Sequence, residues 1–230
     1  MTFLTTAELK AKTSKWARAC SLQPDFEIRN DFDAPALLVL DMENEFLVRS
    51  GQMKVWGGPA IIPNVLALVS AFRAKGYPVI YTRHVCLEPY KHKDTLRSMS
   101  GINDLAQFLR DGSNGAKLCR QLRPTKKEFV ITKYKYSAFY DTPLDTHLRV
   151  NQIRQVVISG VASNICCDST ARDAFYRGYK VYFPIDGNGG MDEPTHVATL
   201  RTMALSFGQL CQVKHVLTHL RSAPATTTKP

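Results

Sequence analysis

The sequence predicts one α/β domain of three layers, a mainly parallel six-stranded sheet doubly wound with helices on both faces. Three observations carry this. About six short apolar runs alternate with segments whose apolar residues recur at helical spacing. The first run, Ala36–Leu40, is apolar at every position, the pattern of a strand buried on both faces. No repeat and no internal linker divides the 230 residues, a length that suits one large domain with a substantial core.

Each element follows from local residues. Residues 6–19 form an amphipathic pattern in which Thr6 can cap the helix, Glu8 sits in the first turn, and Lys10, Lys12, Lys15 and Arg18 follow. Residues 1–34 read as this helix and a lead-in, 35–221 as the domain, and 222–230 as a flexible tail. Pro35 opens the first strand, and the run reaches Asp41 and Met42. A long loop over 43–58 carries Phe46 and Trp56. A helix over Pro59–Lys75 has Pro59 in its first turn and Gly76 as its stop. The second strand is Pro78–Thr82, with Arg83, His84 and Cys86 just past it. Residues 87–114 read as a polar cover over the site, and Ala116–Leu122 as a short helix. Glu128–Thr132 is the third strand with Lys133 at its end, and a short helix follows near Leu144–Val150. Gln155–Ser159 is the fourth strand and Cys166–Arg177 the helix after it. Tyr179–Pro184 is the fifth, followed by turn-rich residues 186–190. Glu193–Phe207 reads as a helix and Gln209–Lys214 as the last strand.

Composition narrows the function. No apolar run approaches the ~18 residues of a membrane span, and the N-terminus lacks a signal-peptide layout, so a cytoplasmic protein without a membrane partner is expected. Six cysteines are scattered without a CxxC pair, which argues against a zinc site or a disulfide framework. The net charge of +10 is spread over the chain with no nucleic-acid-binding motif beside it. A solvated basic surface that favours small anionic ligands is the better reading, and a nucleic-acid partner is disfavoured.

Residues 156–174, VVISGVASNICCDSTARDA, stand out. An apolar run breaks at Gly160, a polar turn follows, and Cys166 falls at a helix start, where free backbone N–H groups lower a thiol's pKa. Asp41 ends the first strand, and in open parallel sheets ligands bind at the strands' carboxyl ends. Asp41 reads equally as a functional acid or as a turn residue. Lys133 ends the third strand. If these strands are neighbours, Asp41, Lys133 and Cys166 converge.

At these three places the sequence resembles the isochorismatase-like cysteine hydrolase superfamily, over about residues 36–213. Asp41 with Met42, Asn44 and Phe46 is similar to D-x-Q-x-D/N-F. The run from Lys133 through Tyr136 to Phe139 is similar to K-x-x-x-S-A-F. Gly160–Cys166 with Ser169–Ala174 resembles G-V-x-T-N-x-C and T-x-R-D-A. The resemblance implies a Rossmann-like hydrolase domain and a triad of Asp41, Lys133 and Cys166. It also implies a cis peptide between Val161 and Ala162, and an oxyanion site made by the N–H groups of Ala162 and Cys166. Glu43 stands where the family usually has Gln, Ser163 where Thr is commoner, and Cys167 where Val is common. Cys167 is expected to be a buried neighbour. Nicotinamidases of this superfamily carry a D-x-H…H metal pattern that residues 83–88 lack, so no metal and no cofactor is expected, and nicotinamidase activity is disfavoured.

The expected reaction is hydrolysis of a C–N bond in a small amide, ureide or carbamoyl compound through a thioester. Its rivals are vinyl-ether hydrolysis by Asp41 and Lys133 without the thiol, and a non-catalytic binding role. Phe46, Trp56, His84 and Tyr136 are candidate substrate contacts, with ordinary packing as the alternative for each aromatic. Arg83 or Lys135 would suit a substrate carboxylate. A homo-oligomer, dimer or tetramer, is what the resemblance implies.

Overall fold

The computed structural model describes residues 2–20, 33, 35–86 and 108–222. The strands are β1 (Pro35–Leu40), β2 (Val79–His84), β3 (Phe129–Lys133), β4 (Gln155–Val161), β5 (Lys180–Pro184), β6 (Asn188–Gly189) and β7 (Gln209–Cys211). Their order is β3-β2-β1-β4-β5-β7, with β6 paired to β4 off this path. Every pairing is parallel. β1, apolar throughout, and β4 occupy the middle and are buried at every position.

The chain winds outward from β1 through β2 to β3 and then returns to the other side of β1 as β4. That reversal makes the carboxyl ends of β1 and β4 a switch point, the place where ligands bind in open α/β sheets. The two strands approach closely there. Leu40 is in register with Gly160, whose φ is 135°, and a Cβ on Gly160 would lie 2.1 Å from the Leu40 carbonyl oxygen. Only glycine satisfies both demands.

Helices α1 (Thr6–Cys20), α2 (Asn44–Leu47), α3 (Gly58–Lys75), α4 (Leu144–Val150), α5 (Asp168–Tyr176), α6 (Glu193–Thr202) and α7 (Val213–Ser222) complete the layers among the described residues. The stripe Ile61, Val65, Leu68, Val69 and Phe72 turns α3 onto β1, β2 and β4, with α7 beside it, and Gly76 ends it in a left-handed conformation. On the other flank α5 packs on β5. None of these helices is long and apolar enough to cross a membrane.

Several local expectations are corrected. Residues 116–122 form no helix. Their apolar positions Ala116, Cys119 and Leu122 are buried, but the backbone pairs with another segment. The Asn44 N–H donates to the Lys117 carbonyl (2.9 Å), and the Cys119 N–H donates to Met42 (2.8 Å). The loop 43–58 contains α2, and β2 runs on through Arg83 and His84. The last strand stops at Cys211, because the Asp186 carboxylate accepts the Val213 N–H at 2.8 Å and starts α7 there. The helix expected from Cys166 begins one turn earlier as a π-helix, Ser163–Cys167, and α6 runs into a second π-helix, Met203–Phe207. The expected cover over 87–107, most of the lead-in 20–34 and the tail from 223 lie outside the described residues.

Candidate active site

The site is built where β1, β2, β3 and β4 end. Asp41 follows β1 with φ at 48° and is fully buried. Thr82 on β2 holds it in a two-way clasp. The Thr82 hydroxyl donates to Asp41 Oδ1 (2.6 Å) and accepts the Asp41 backbone N–H (3.1 Å). Asp41 Oδ2 lies 2.7 Å from Lys133 Nζ, and both side chains are 0% exposed. Lys133 ends β3, two strands from β1, a separation of about 10 Å. Its four-carbon stem crosses the end of β2 to make the pair. The ammonium also donates to the Lys135 carbonyl (3.0 Å) and to Cys166 Sγ (3.5 Å), and it lies 3.3 Å from His84 Nδ1.

Cys166 lies in the π-helical turn after β4, and the peptide between Val161 and Ala162 is cis. The Ala162 carbonyl accepts N–H groups from Ile165 (3.0 Å) and Cys167 (3.1 Å), which folds the turn over β4. The sequence places the Cys166 N–H between those two donors. Cys167 is fully buried in the core.

Electrostatics at this site are governed by burial. Burial pushes the Cys166 thiol up, Lys133 opposes that, and the Asp41 charge adds to it, so the resting thiol holds its proton at neutral pH. Burial thus acts against the acidification expected of a thiol at a helix start. Burial would lower the Lys133 ammonium, but the Asp41 charge and the bond to Asp41 hold it above an ordinary lysine. His84 is pushed down to about 4, by burial first and the Lys133 charge second, so its Nδ1 is free to accept from the ammonium. Glu43 is buried beside this pair. Its Oε2 accepts the His84 N–H (2.8 Å), and its Oε1 has no partner among the described residues. Burial, then the Asp41 charge, push its carboxyl well above the usual range.

Ligand atoms of Asp41, His84 and Cys166 all lie within 4.8 Å of one another, a spacing a metal ion can use. The Lys133 ammonium already stands within 3.5 Å of all three residues, so the cation position is filled by the chain itself.

Of the candidate substrate contacts, His84 and Tyr136 are brought to the triad. Tyr136 is 38% exposed and stacks on the His84 ring, with centroids 6.2 Å apart. Phe46 is a buried residue of α2, and Trp56 packs edge-on against Trp16 of α1. Arg83 turns to Asp111 (3.2 Å) and Thr132 (2.9 Å). Sequence reasoning missed Thr82, which reads as one more β-branched strand residue. It also missed the bond between Ser163 Oγ and His196 Nδ1 (2.9 Å), which joins residues far apart in the chain.

The Isochorismatase domain family model matches residues 35–215. Nicotinamidase 3 of Arabidopsis thaliana is 33% identical over 76% of this chain and 83% of its own length. The ureidoacrylate amidohydrolase RutB of Methylorubrum extorquens strain DM4 is 33% identical over 80% of this chain and 81% of its own. A crystal structure of a cysteine hydrolase from Pseudomonas syringae pv. phaseolicola superposes with a TM-score of 0.81 at 26% identity, covering 88% of this chain and 99% of the other. The chain belongs to the isochorismatase family.

Proposed function

We propose that this protein is a cysteine-dependent amidohydrolase that cleaves a C–N bond in a small amide, ureide or carbamoyl compound through a thioester. The observation that carries the reading is the buried contact of the Lys133 ammonium with the Asp41 carboxylate on one side and the Cys166 sulfur on the other. The names of the two curated relatives, a nicotinamidase and a ureidoacrylate amidohydrolase, support the C–N bond as target.

In this mechanism Asp41 acts as general base and accepts the Cys166 thiol proton. Lys133 offsets the anion formed at sulfur. The sulfur attacks the substrate carbonyl carbon, and the Ala162 and Cys166 N–H groups receive the oxyanion. Asp41 returns the proton to the departing nitrogen as the C–N bond breaks, leaving a thioester on Cys166. Asp41 then takes a proton from water, the resulting hydroxide attacks the thioester, and the acid product leaves as the thiol is re-protonated. A thiol that rests protonated suits this order, because the base and the proton it will take are both in place before substrate arrives.

The test is a panel of nicotinamide, ureidoacrylate, an N-carbamoyl amino acid and isochorismate, run on wild type and Cys166→Ala. C–N hydrolysis should disappear in the variant, and intact-protein mass spectrometry of quenched wild type should show an acyl adduct on Cys166. Amide turnover that survives Cys166→Ala, or consumption of isochorismate alone, would overturn the reading.

A further inference from the structure

Helix α1 precedes the residues matched by the family model, yet Leu9, Thr13, Trp16, Ala17 and Cys20 on it are buried. It is tied down by specific bonds. The Leu4 N–H donates to the Trp56 carbonyl (2.9 Å), Trp16 Nε1 donates to Glu193 Oε1 (2.9 Å), and Lys12 pairs with the same carboxylate. Trp16 is 2% exposed, and its ring meets the His196 imidazole at 4.7 Å between centroids and 63° between planes.

His196 touches Trp16 on one side and Ser163 on the other. It is 1% exposed, and its Nδ1 lies 2.9 Å from Ser163 Oγ. Ser163 directly follows Ala162 and opens the turn that carries Cys166. The packing leaves this pair little freedom. A Cβ on Gly190 would stand 2.6 Å from His196 Cβ and 3.0 Å from Ser163 Oγ, and the Gly190 carbonyl is itself held by the Gly57 N–H at 3.0 Å. Burial pushes His196 down to about 4, so a neutral ring meets the hydroxyl across the physiological range, with its buried Nε2 unpartnered among the described residues. A buried hydroxyl bonded to a locked ring holds one rotamer, and the backbone on either side inherits that restraint.

We propose that α1 is part of the catalytic apparatus. Trp16 seats His196, and His196 is a positioning residue that fixes Ser163 and so aims the Ala162 and Cys166 N–H groups at the substrate oxygen. The aim at a substrate rests on the oxyanion role given to these N–H groups under Proposed function; the mechanical link from α1 to the turn does not.

The test uses the full chain with Trp16→Ala, Trp16→Phe, Ser163→Ala, Ser163→Thr and the Trp16→Ala/Ser163→Ala double variant. Three quantities are read: kcat and KM per titrated thiol, amide hydrogen exchange in peptides covering 160–168 without substrate, and unfolding midpoints. Trp16→Ala should lower kcat about tenfold with KM within about twofold, since an interaction that counts only in the transition state has been lost. Exchange at 163–167 should rise in the same variant, while Trp16→Phe and Ser163→Thr restore most of both readouts. The double variant should be no worse than the worse single, because two cuts in one relay do not add. Unchanged exchange at 163–167 in Trp16→Ala, or losses that multiply in the double variant, would overturn the relay. If Trp16→Ala does not fold, the contrast of Ser163→Ala with Ser163→Thr decides the link to His196. If wild type hydrolyses nothing in the panel, the proposed reaction falls, and the exchange measurements still decide whether α1 holds the turn.

Discussion

Lys133 Nζ and Asp41 Oδ2 stand 2.7 Å apart with neither side chain exposed to solvent. A buried ion pair is weak evidence of stability, because desolvating both charges offsets much of their attraction. Removing one partner is different, since the other charge is left buried and alone. Lys133→Met should therefore cost about 3–5 kcal/mol of unfolding free energy as well as activity. Adding Asp41→Asn should return much of that stability and none of the activity. Urea unfolding of the two single variants and the double variant checks this, and a double variant as unstable as Lys133→Met alone would show that the pair is not the cause.

Thr82 fixes the carboxylate that Lys133 pairs with. A hydrogen bond to a charged group contributes about 1.5–3 kcal/mol, so Thr82→Val, which keeps the shape and removes the hydroxyl, should lower kcat/KM by about 10- to 100-fold. Thr82→Ser keeps the donor and should stay within about threefold of wild type. Equal rates for the Val and Ser variants would mean that the clasp on Asp41 does not orient the base.

The residues that were legible in the sequence are those whose position in a strand announces them. Asp41 and Lys133 each end an apolar run, and parallel topology puts the ends of such runs on one rim. Cys166 was legible by place but not by acidity. Its place is local, one turn past β4, whereas its raised pKa comes from burial by segments remote in sequence. Ala116, Cys119 and Leu122 recur every third residue and mimic a helix face, but their backbone pairs across the fold with residues 42–44, which no local pattern records. Thr82 was hidden because β-branched residues are what a strand is made of. The contacts of Trp16 with Glu193 and His196 span most of the chain, so the sequence shows α1 as an amphipathic helix without naming the residues it meets.

Glu43 places a second buried carboxyl beside the Asp41–Lys133 pair, with one oxygen unpartnered among the described residues. Its pKa is raised in the fold. The sign follows directly. Below the ordinary Glu value of about 4.3 the group is protonated in both states. Above that value the unfolded chain ionises while the folded chain stays neutral, so stability falls as pH rises toward the folded pKa. Glu43→Gln removes this term. The variant should therefore gain on wild type by up to about 1.4 kcal/mol per pH unit above that value. Chemical unfolding at pH 5, 6 and 7 reads the difference, and a gap that stays constant with pH would mean that Glu43 ionises normally.

Two imidazoles act with the opposite sign. His84 and His196 are both pushed down to about 4, by burial in each case. Above about pH 7 each is neutral in the folded and unfolded chain. Between about 6.5 and 4 only the unfolded chain takes up the proton, so stability falls with pH by about 1.4 kcal/mol per unit for each ring, and the loss is complete below both pKa values. Replacing either residue with Asn changes stability at pH 7 by an amount set by packing, but the slope is independent of that amount. Between pH 5 and 6 the His84→Asn and His196→Asn variants should each show a slope shallower than wild type by about 1.4 kcal/mol per pH unit. Measuring slopes separates the two contributions from that of Glu43, which destabilises the fold as pH rises instead. A variant whose slope matches wild type would place its imidazole in contact with water, and for His196 that outcome would also remove the dry, neutral ring on which the seating of Ser163 depends.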